Sequence, residues 1–154
     1  MSTTTPIIWT CKRMQELTHD ELYTILKLRS EVFIVEQNCV YLDPDGKDQN
    51  AWHLCGWLNG ELLVAYARLL APGVSYDQAS IGRVLTSAAH RKDGYGKLLM
   101  QKAIQYSKEK FDTKSIKIGA QEYLIKFYSS FGFNITSEPY IEDGIPHVEM
   151  LLGK

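Results

Sequence analysis

The segment Arg91-Lys92-Asp93-Gly94-Tyr95-Gly96-Lys97 carries the densest chemistry in this chain. It stands where a strand-like run gives way to an amphipathic helix. Two glycines let the backbone turn closely, so successive N–H groups can face one anion. The unpaired N–H groups and the dipole of the helix start strengthen that attraction. Arg91, Lys92 and Lys97 add positive charge. These residues fit a pyrophosphate cradle, and they equally fit a glycine-rich helix start with solvated lysines; seven residues alone leave both open. Spacing excludes two other phosphate loops. A dinucleotide fingerprint needs a third glycine where Leu99 stands. A P-loop needs a glycine in the stretch that Arg91 and Lys92 occupy. Asp43-Pro44-Asp45-Gly46 has a calcium-loop look, but the EF-hand glycine comes later and position twelve is Leu54 rather than Glu. His53 and Cys55 have no zinc-ligand spacing, so no metal is expected. Cys11, Cys39 and Cys55, odd in number and without close pairing, read as reduced thiols.

The elements that must position this segment are legible in the apolar periodicity. Ile7 to Met14 reads as a first strand. Thr18-His19-Asp20-Glu21 is a capping box, followed by Leu22, Ile25, Leu26, Arg29, Val32 and Phe33 at helical spacing. A polar loop spans Tyr41 to Asn50. Trp52 to Leu58 and Leu62 to Leu70 are strand-like, with Asn59-Gly60 as a hairpin signal, and Ala79 to Thr86 completes a meander. Tyr95, Leu98, Leu99, Ala103 and Tyr106 mark an amphipathic helix to about Lys110. Ser115 to Gly119 is a short strand, and Leu124, Phe127, Tyr128 and Phe131 mark a short helix stopped by Gly132. Ile135 to Glu142 and Pro146 to Leu152 read as final strands around the Asp143-Gly144 turn. The order βα, meander, αβα, ββ predicts a mixed α/β (α+β) sheet in one domain over residues 1–154.

Ile81-Gly82-Arg83-Val84-Leu85-Thr86 followed by Arg91-x-x-Gly94-x-Gly96 resembles the acetyl-CoA motif of the GNAT acetyltransferase superfamily. Gly119-Ala120-Gln121 and Phe127-Tyr128-x-x-Phe131-Gly132-Phe133 resemble that family's second motif. Arg29 to Cys39, Ala65 to Arg68 and Glu142 to His147 are similar to the ElaA-like branch, so the resemblance runs from about Leu22 to Met150. It implies the GNAT acyl-CoA N-acyltransferase fold, a central, mostly antiparallel sheet flanked by helices. It implies acetyl-CoA as cosubstrate, held by the backbone of Val84, Leu85 and Thr86, by Arg91, Lys92, Gly94, Tyr95, Gly96 and Lys97, and by Gln121 and Tyr128. It also implies direct attack by a primary amine in a ternary complex. A non-enzymatic CoA-binding module is the alternative. The helix end Arg29-x-x-Val32-Phe33 hints at an acyl-homoserine-lactone synthase, against which the complete glycine cradle argues.

Such a transfer needs a base for the amine, donors for the oxyanion and an acid for the departing thiolate. By the resemblance Tyr128 is the acid and the Leu85 N–H the oxyanion donor, although helical spacing alone would pack Tyr128 with Leu124 and Phe131. Glu36, Glu122 and His147 are the candidate bases, and the Glu36 and His147 segments are expected to face one pocket across the sheet from the cradle. Arg29, Arg68 and Arg83 suit an acidic substrate group or buried carboxylates, the latter favoured for Arg29 and Arg68. Asp43 to Gly46 reads as a turn shaping one wall of the acceptor site. His19 and His90 read as exposed helix-flank residues.

Composition bounds the rest. With 154 residues, 45% apolar and 23% charged, the chain can bury a core of ordinary size. A net charge of -1 gives no global basic surface for nucleic acid or an anionic membrane. Met1 to Pro6 has neither a positive nor an apolar signal-peptide region, which points to the cytoplasm. The expected partner is a small-molecule amine or a protein amino group; a homodimer stays open.

Overall fold

The computed structural model describes residues 6–153; the Ser/Thr-rich start, residues 1–5, lies outside them. Strand β1 (Ile7–Arg13) leads through a short turn to helix α1 (His19–Arg29). Thr18 caps α1 as its side chain accepts from Glu21 N at 3.0 Å, while Glu21 accepts from Thr18 N at 2.8 Å; such a cap is worth about 1 kcal/mol. The helix then widens into a π-helical segment, Ser30–Glu36.

Strands β2 (Trp52–Leu58), β3 (Leu62–Leu70) and β4 (Ala79–Thr86) form the antiparallel meander. Asn59 and Gly60, at φ of 56° and 75°, make the type I′ turn that matches strand twist. Helix α2 (Tyr95–Phe111) follows, then β5 (Ile116–Gln121), the short helix α3 (Ile125–Ser129), β6 (Asn134–Ile135), β7 (Tyr140–Glu142) and β8 (Ile145–Leu152). The strands join in one sheet of order β1-β2-β3-β4-β5-β8-β6, with β7 also on β8 and only the β4–β5 pair parallel.

Two sequence expectations change. The run from Ile135 to Glu142 is two short strands rather than one. Pro139 has no N–H for the ladder, and the Ser137 hydroxyl stands in as acceptor for Glu149 N at 2.8 Å. In α2 the buried stripe is Leu99, Met100, Ala103 and Ser107, whereas Leu98 stays 44% exposed.

The sheet buries both faces. Leu54, Ala67, Leu69, Ile81, Ile116, Ile118 and Met150 pack with Leu99, Met100 and Ala103 of α2 and with Tyr128 of α3. Cys55, Tyr66 and Leu85 pack on the other face with Ile25 and Leu28 of α1 and with Val32 and Phe33 beyond it. Strand alternation then assigns Gly119, Gln121, His147 and Glu149 to the α1 face. Among the described residues, no helix is long and apolar enough to cross a membrane.

Candidate active site

The parallel partners β4 and β5 touch at only two positions, Ala79↔Ile116 and Ser80↔Lys117. Beyond Ser80 they separate, and β4 from Ile81 to Thr86 has no partner on its β5 side. On its other side β4 pairs with β3 through a bulge at Arg83, whose φ is 51°. A bulge bends the strand and re-aims its groups. The wedge opens into a cavity of about 1100 Å³.

The wedge exposes backbone groups that an extended amide chain can pair with. Ser87 N donates to Val64 O at 2.8 Å, toward β3. Alternation along the strand turns the Leu85 N–H to the same edge and the Val84 and Thr86 N–H groups toward the wedge. Leu85, expected as the oxyanion donor, lines the cavity, and the ladder register turns its amide toward β3.

At the end of β4 the chain makes short 3₁₀ turns, Ala88–Asp93, and reaches Gly94 in the left-handed region, φ 80°, just before α2. A side chain at Gly94 would be strained by that φ. Gly96 lines the cavity; a Cβ there would reach ordinary contact with Thr86 and Phe127, at 3.9 and 4.0 Å. Arg91 also lines the cavity, whereas Lys92, Gly94, Tyr95 and Lys97 do not. The Arg91 guanidinium is held two-pronged by the Glu36 carboxylate. That hydrogen bond, more than the added charge of Arg91, holds the Glu36 carboxyl below its ordinary range.

Tyr128 enters the cavity wall from the α2 face. It is 7% exposed, packed edge-on against Phe127 and Phe133. Burial pushes its phenol up to about 12, so it is a protonated donor at neutral pH. The packing and the acid roles considered for Tyr128 are therefore geometrically compatible. Glu36, Gln121 and His147 line the same cavity, from the α1 face. His147 Nδ1 lies 2.7 Å from Ile145 O. A carbonyl only accepts, so Nδ1 carries the hydrogen and a neutral ring keeps its lone pair on Nε2. Nε2 is 3.7 Å from Glu142 Oε2. Glu122, the remaining base candidate, does not line the cavity.

The three arginines are engaged by the Asp43–Asp48 loop. Arg29 donates to Asp43 and Asp48, each at 2.8 Å; Arg68 donates to Asp45 at 2.7 and 2.8 Å and to Asp48 at 3.1 Å; Arg83 donates to Asp43 at 2.8 Å. Behind them His53 Nε2 donates to Asp48 O at 2.9 Å, so Nδ1 accepts from the Tyr66 hydroxyl at 2.6 Å. The loop thus lines the cavity through Asp45 and Lys47 while its other acids are buried. Sequence alone does not single out these three aspartates as partners. The available signal was a matching count: three arginines in otherwise apolar elements and three acids in one short loop. Of the two remaining histidines, His19 is exposed and His90 is half-buried.

Comparison with known proteins agrees with this geometry. The family profile described as "Acetyltransferase (GNAT) domain" matches residues 53–153. Protein ElaA of Escherichia coli is 44% identical over 146 residues, covering 94% of this chain and 95% of ElaA. A UPF0039 protein of Synechocystis is 43% identical over 145 residues, covering 94% of each chain. The crystal structure of an acyl-CoA N-acyltransferase from Pseudomonas aeruginosa superposes with a TM-score of 0.88 at 42% identity, covering 95% of this chain and 99% of that one.

Proposed function

Because this chain belongs to the GNAT acetyltransferase family, with the acyl-CoA N-acyltransferase fold, we propose that it transfers the acetyl group of acetyl-CoA to a primary amine by direct attack in a ternary complex. The observation that carries this reading is the wedge between β4 and β5 with the Tyr128 phenol at its wall. The unpaired edge of β4 suits the amides of a pantetheine arm. The N-terminus of α2, with Gly94, Gly96 and Arg91, suits a pyrophosphate.

In this mechanism the amine nitrogen attacks the thioester carbon and the carbonyl electrons move onto oxygen. The Val84 N–H, beside the bulge, holds that oxygen; one such donor is typically worth about 3 kcal/mol. As the C–S bond breaks, Tyr128 gives its proton to the sulfur. The amine's proton goes to His147 Nε2, and Glu142 stabilises the imidazolium that forms. Glu36, held low by Arg91, is the weaker base and serves to hold Arg91 beside the cradle.

Free-thiol release with acetyl-CoA and a panel of amines tests the reading; no release with any amine class, with CoA still bound, would leave a binding module. His147→Gln should depress kcat/KM for the acceptor, and the deficit should shrink at alkaline pH, where the free amine is plentiful. A pH-independent deficit would assign His147 to positioning. Gly96→Val puts methyl groups into the cradle and should weaken CoA binding by about tenfold or more in calorimetry. Unchanged affinity in a cooperatively folding variant would remove α2 from the CoA site.

A further inference from the structure

The cavity continues past the bulge along the α1 face of β4, over Gly82 and Ser80. Gly82 pairs with Arg68 across the ladder, and a Cβ on Gly82 would meet nothing within 4 Å. This leaves an open floor beside the arginine. The wall above it is formed by Asp45, Lys47, Arg68, Ser75 and Arg83. It holds three cations and one carboxylate. That carboxylate, Asp45, is claimed by Arg68 and approached by Arg83 at 3.4 Å. Asp43 and Asp48 lie buried behind the wall and neutralise Arg29, Arg68 and Arg83 from there.

Lys47 is left over. Among the described residues, no carboxylate lies within 4.0 Å of its Nζ, which instead donates to Ser75 Oγ at 2.9 Å. An oxygen that accepts from Lys47 keeps its own hydrogen to donate. The ammonium and the hydroxyl therefore present two donors at one spot on the cavity wall. Nearby, Arg68 Nε is buried without a hydrogen-bond partner, so this wall carries more donors than acceptors. The other carboxylates that line the cavity, Glu36, Glu142 and Asp143, belong to the segments around Arg91 and His147.

We propose that the acceptor is an amine that also carries an anionic group, carboxylate or phosphate, and that Lys47 with Ser75 seats that anion. The inference rests on the acyltransferase reading and narrows its substrate class. The amino group lies by the bulge, and the rest of the molecule runs over Gly82 toward the donors. Leu85 and Gly82 face Tyr66 and Arg68, which are two residues apart on β3 because of the bulge, so the amine and the anion are separated by roughly 7 Å at about 3.4 Å per strand residue. The arginines considered for an acidic substrate are spoken for by aspartates, which leaves Lys47 for that task.

The test uses matched acceptors of equal length: ω-amino carboxylates, aminoalkyl phosphates, plain alkylamines and diamines. Thiol release gives kcat/KM, and calorimetry on the CoA-bound protein gives acceptor affinity without turnover. The wild type should favour the anionic acceptors over the alkylamines by about tenfold, the scale of one charge-assisted hydrogen bond. Comparing the two anionic series tells whether carboxylate or phosphate fits better. Lys47→Glu should reverse the preference toward diamines, and Lys47→Arg should keep it. Equal use of alkylamines and anionic acceptors, or a preference unmoved by Lys47→Glu, would overturn the anion seat. Lys47-dependent binding of the anionic amines without thiol release would uphold the seat while overturning the acyltransferase reading.

Discussion

Replacing Tyr128 with phenylalanine is expected to lower kcat by about 10²-fold or more, the usual scale for losing a positioned proton donor, with CoA affinity nearly unchanged. The phenol is asked to act only as the C–S bond breaks, so its loss belongs to the transition state. Phenylalanine keeps the edge-on contacts with Phe127 and Phe133, so the core around α3 stays filled. Burial holds the phenol up to about 12, which keeps it protonated across the working pH range. Kinetics on wild type and variant, with chemistry rate-limiting, decide the matter. Equal kcat values would return Tyr128 to the role of a packed aromatic.

The second large effect concerns stability. Asp48→Ala leaves Arg29, which is fully buried, and Arg68, 3% exposed, each short of a carboxylate. Removing one partner from a buried charge network typically costs about 3–5 kcal/mol, and urea titration should register a loss of that size. Asp45→Ala should cost less, since the Asp45 side chain is 25% exposed and water can replace it. Equal costs would mean that burial does not set the value of these pairs. Acid should expose the same network. Burial works against the charge on Asp48, yet hydrogen bonds and charge from Arg29 and Arg68 outweigh it and hold the carboxyl below its ordinary range. Its contribution is therefore present above the unfolded value of about 3.9 and lost as pH falls through the depressed folded value. Burial also lowers His53. The unfolded chain binds that proton first, so acid loss of stability should begin near pH ~6.5.

The parts of this architecture that rest on local chemistry were legible in the sequence. Thr18 and Glu21 cap one helix because a capping box is a four-residue device. Asn59-Gly60 and Asp143-Gly144 turn where positive φ is needed, and the family's glycine motif lies at the start of α2. What escaped notice depends on distant segments meeting. The pairing of Arg83 with Asp43 spans forty residues. The orientation of the Leu85 amide follows from the register of β4 on β3, which no motif announces. The break at Thr136–Pro139 follows from a missing proline N–H and a serine hydroxyl that only the fold brings to Glu149. Lys47 carries no signal in the sequence, because its meaning comes from the aspartates around it being taken.

The unpaired stretch of β4 has a bearing on aggregation. An open strand edge is a template on which another chain can add, and most sheets keep such edges at their rims, blunted by charge or proline. Here the open edge lies in the middle of the sheet. The Ser80↔Lys117 pair closes the wedge at one end, and β5 diverges alongside it, so a foreign strand meets a closed corner rather than a free rim. A thin, flexible amide chain needs only the β4 edge, whereas an added strand must also fit beside β5. The fold thereby keeps a sticky edge available to a narrow guest and away from its rims, and fibril growth should start elsewhere, at the outer strands β1, β6 and β7.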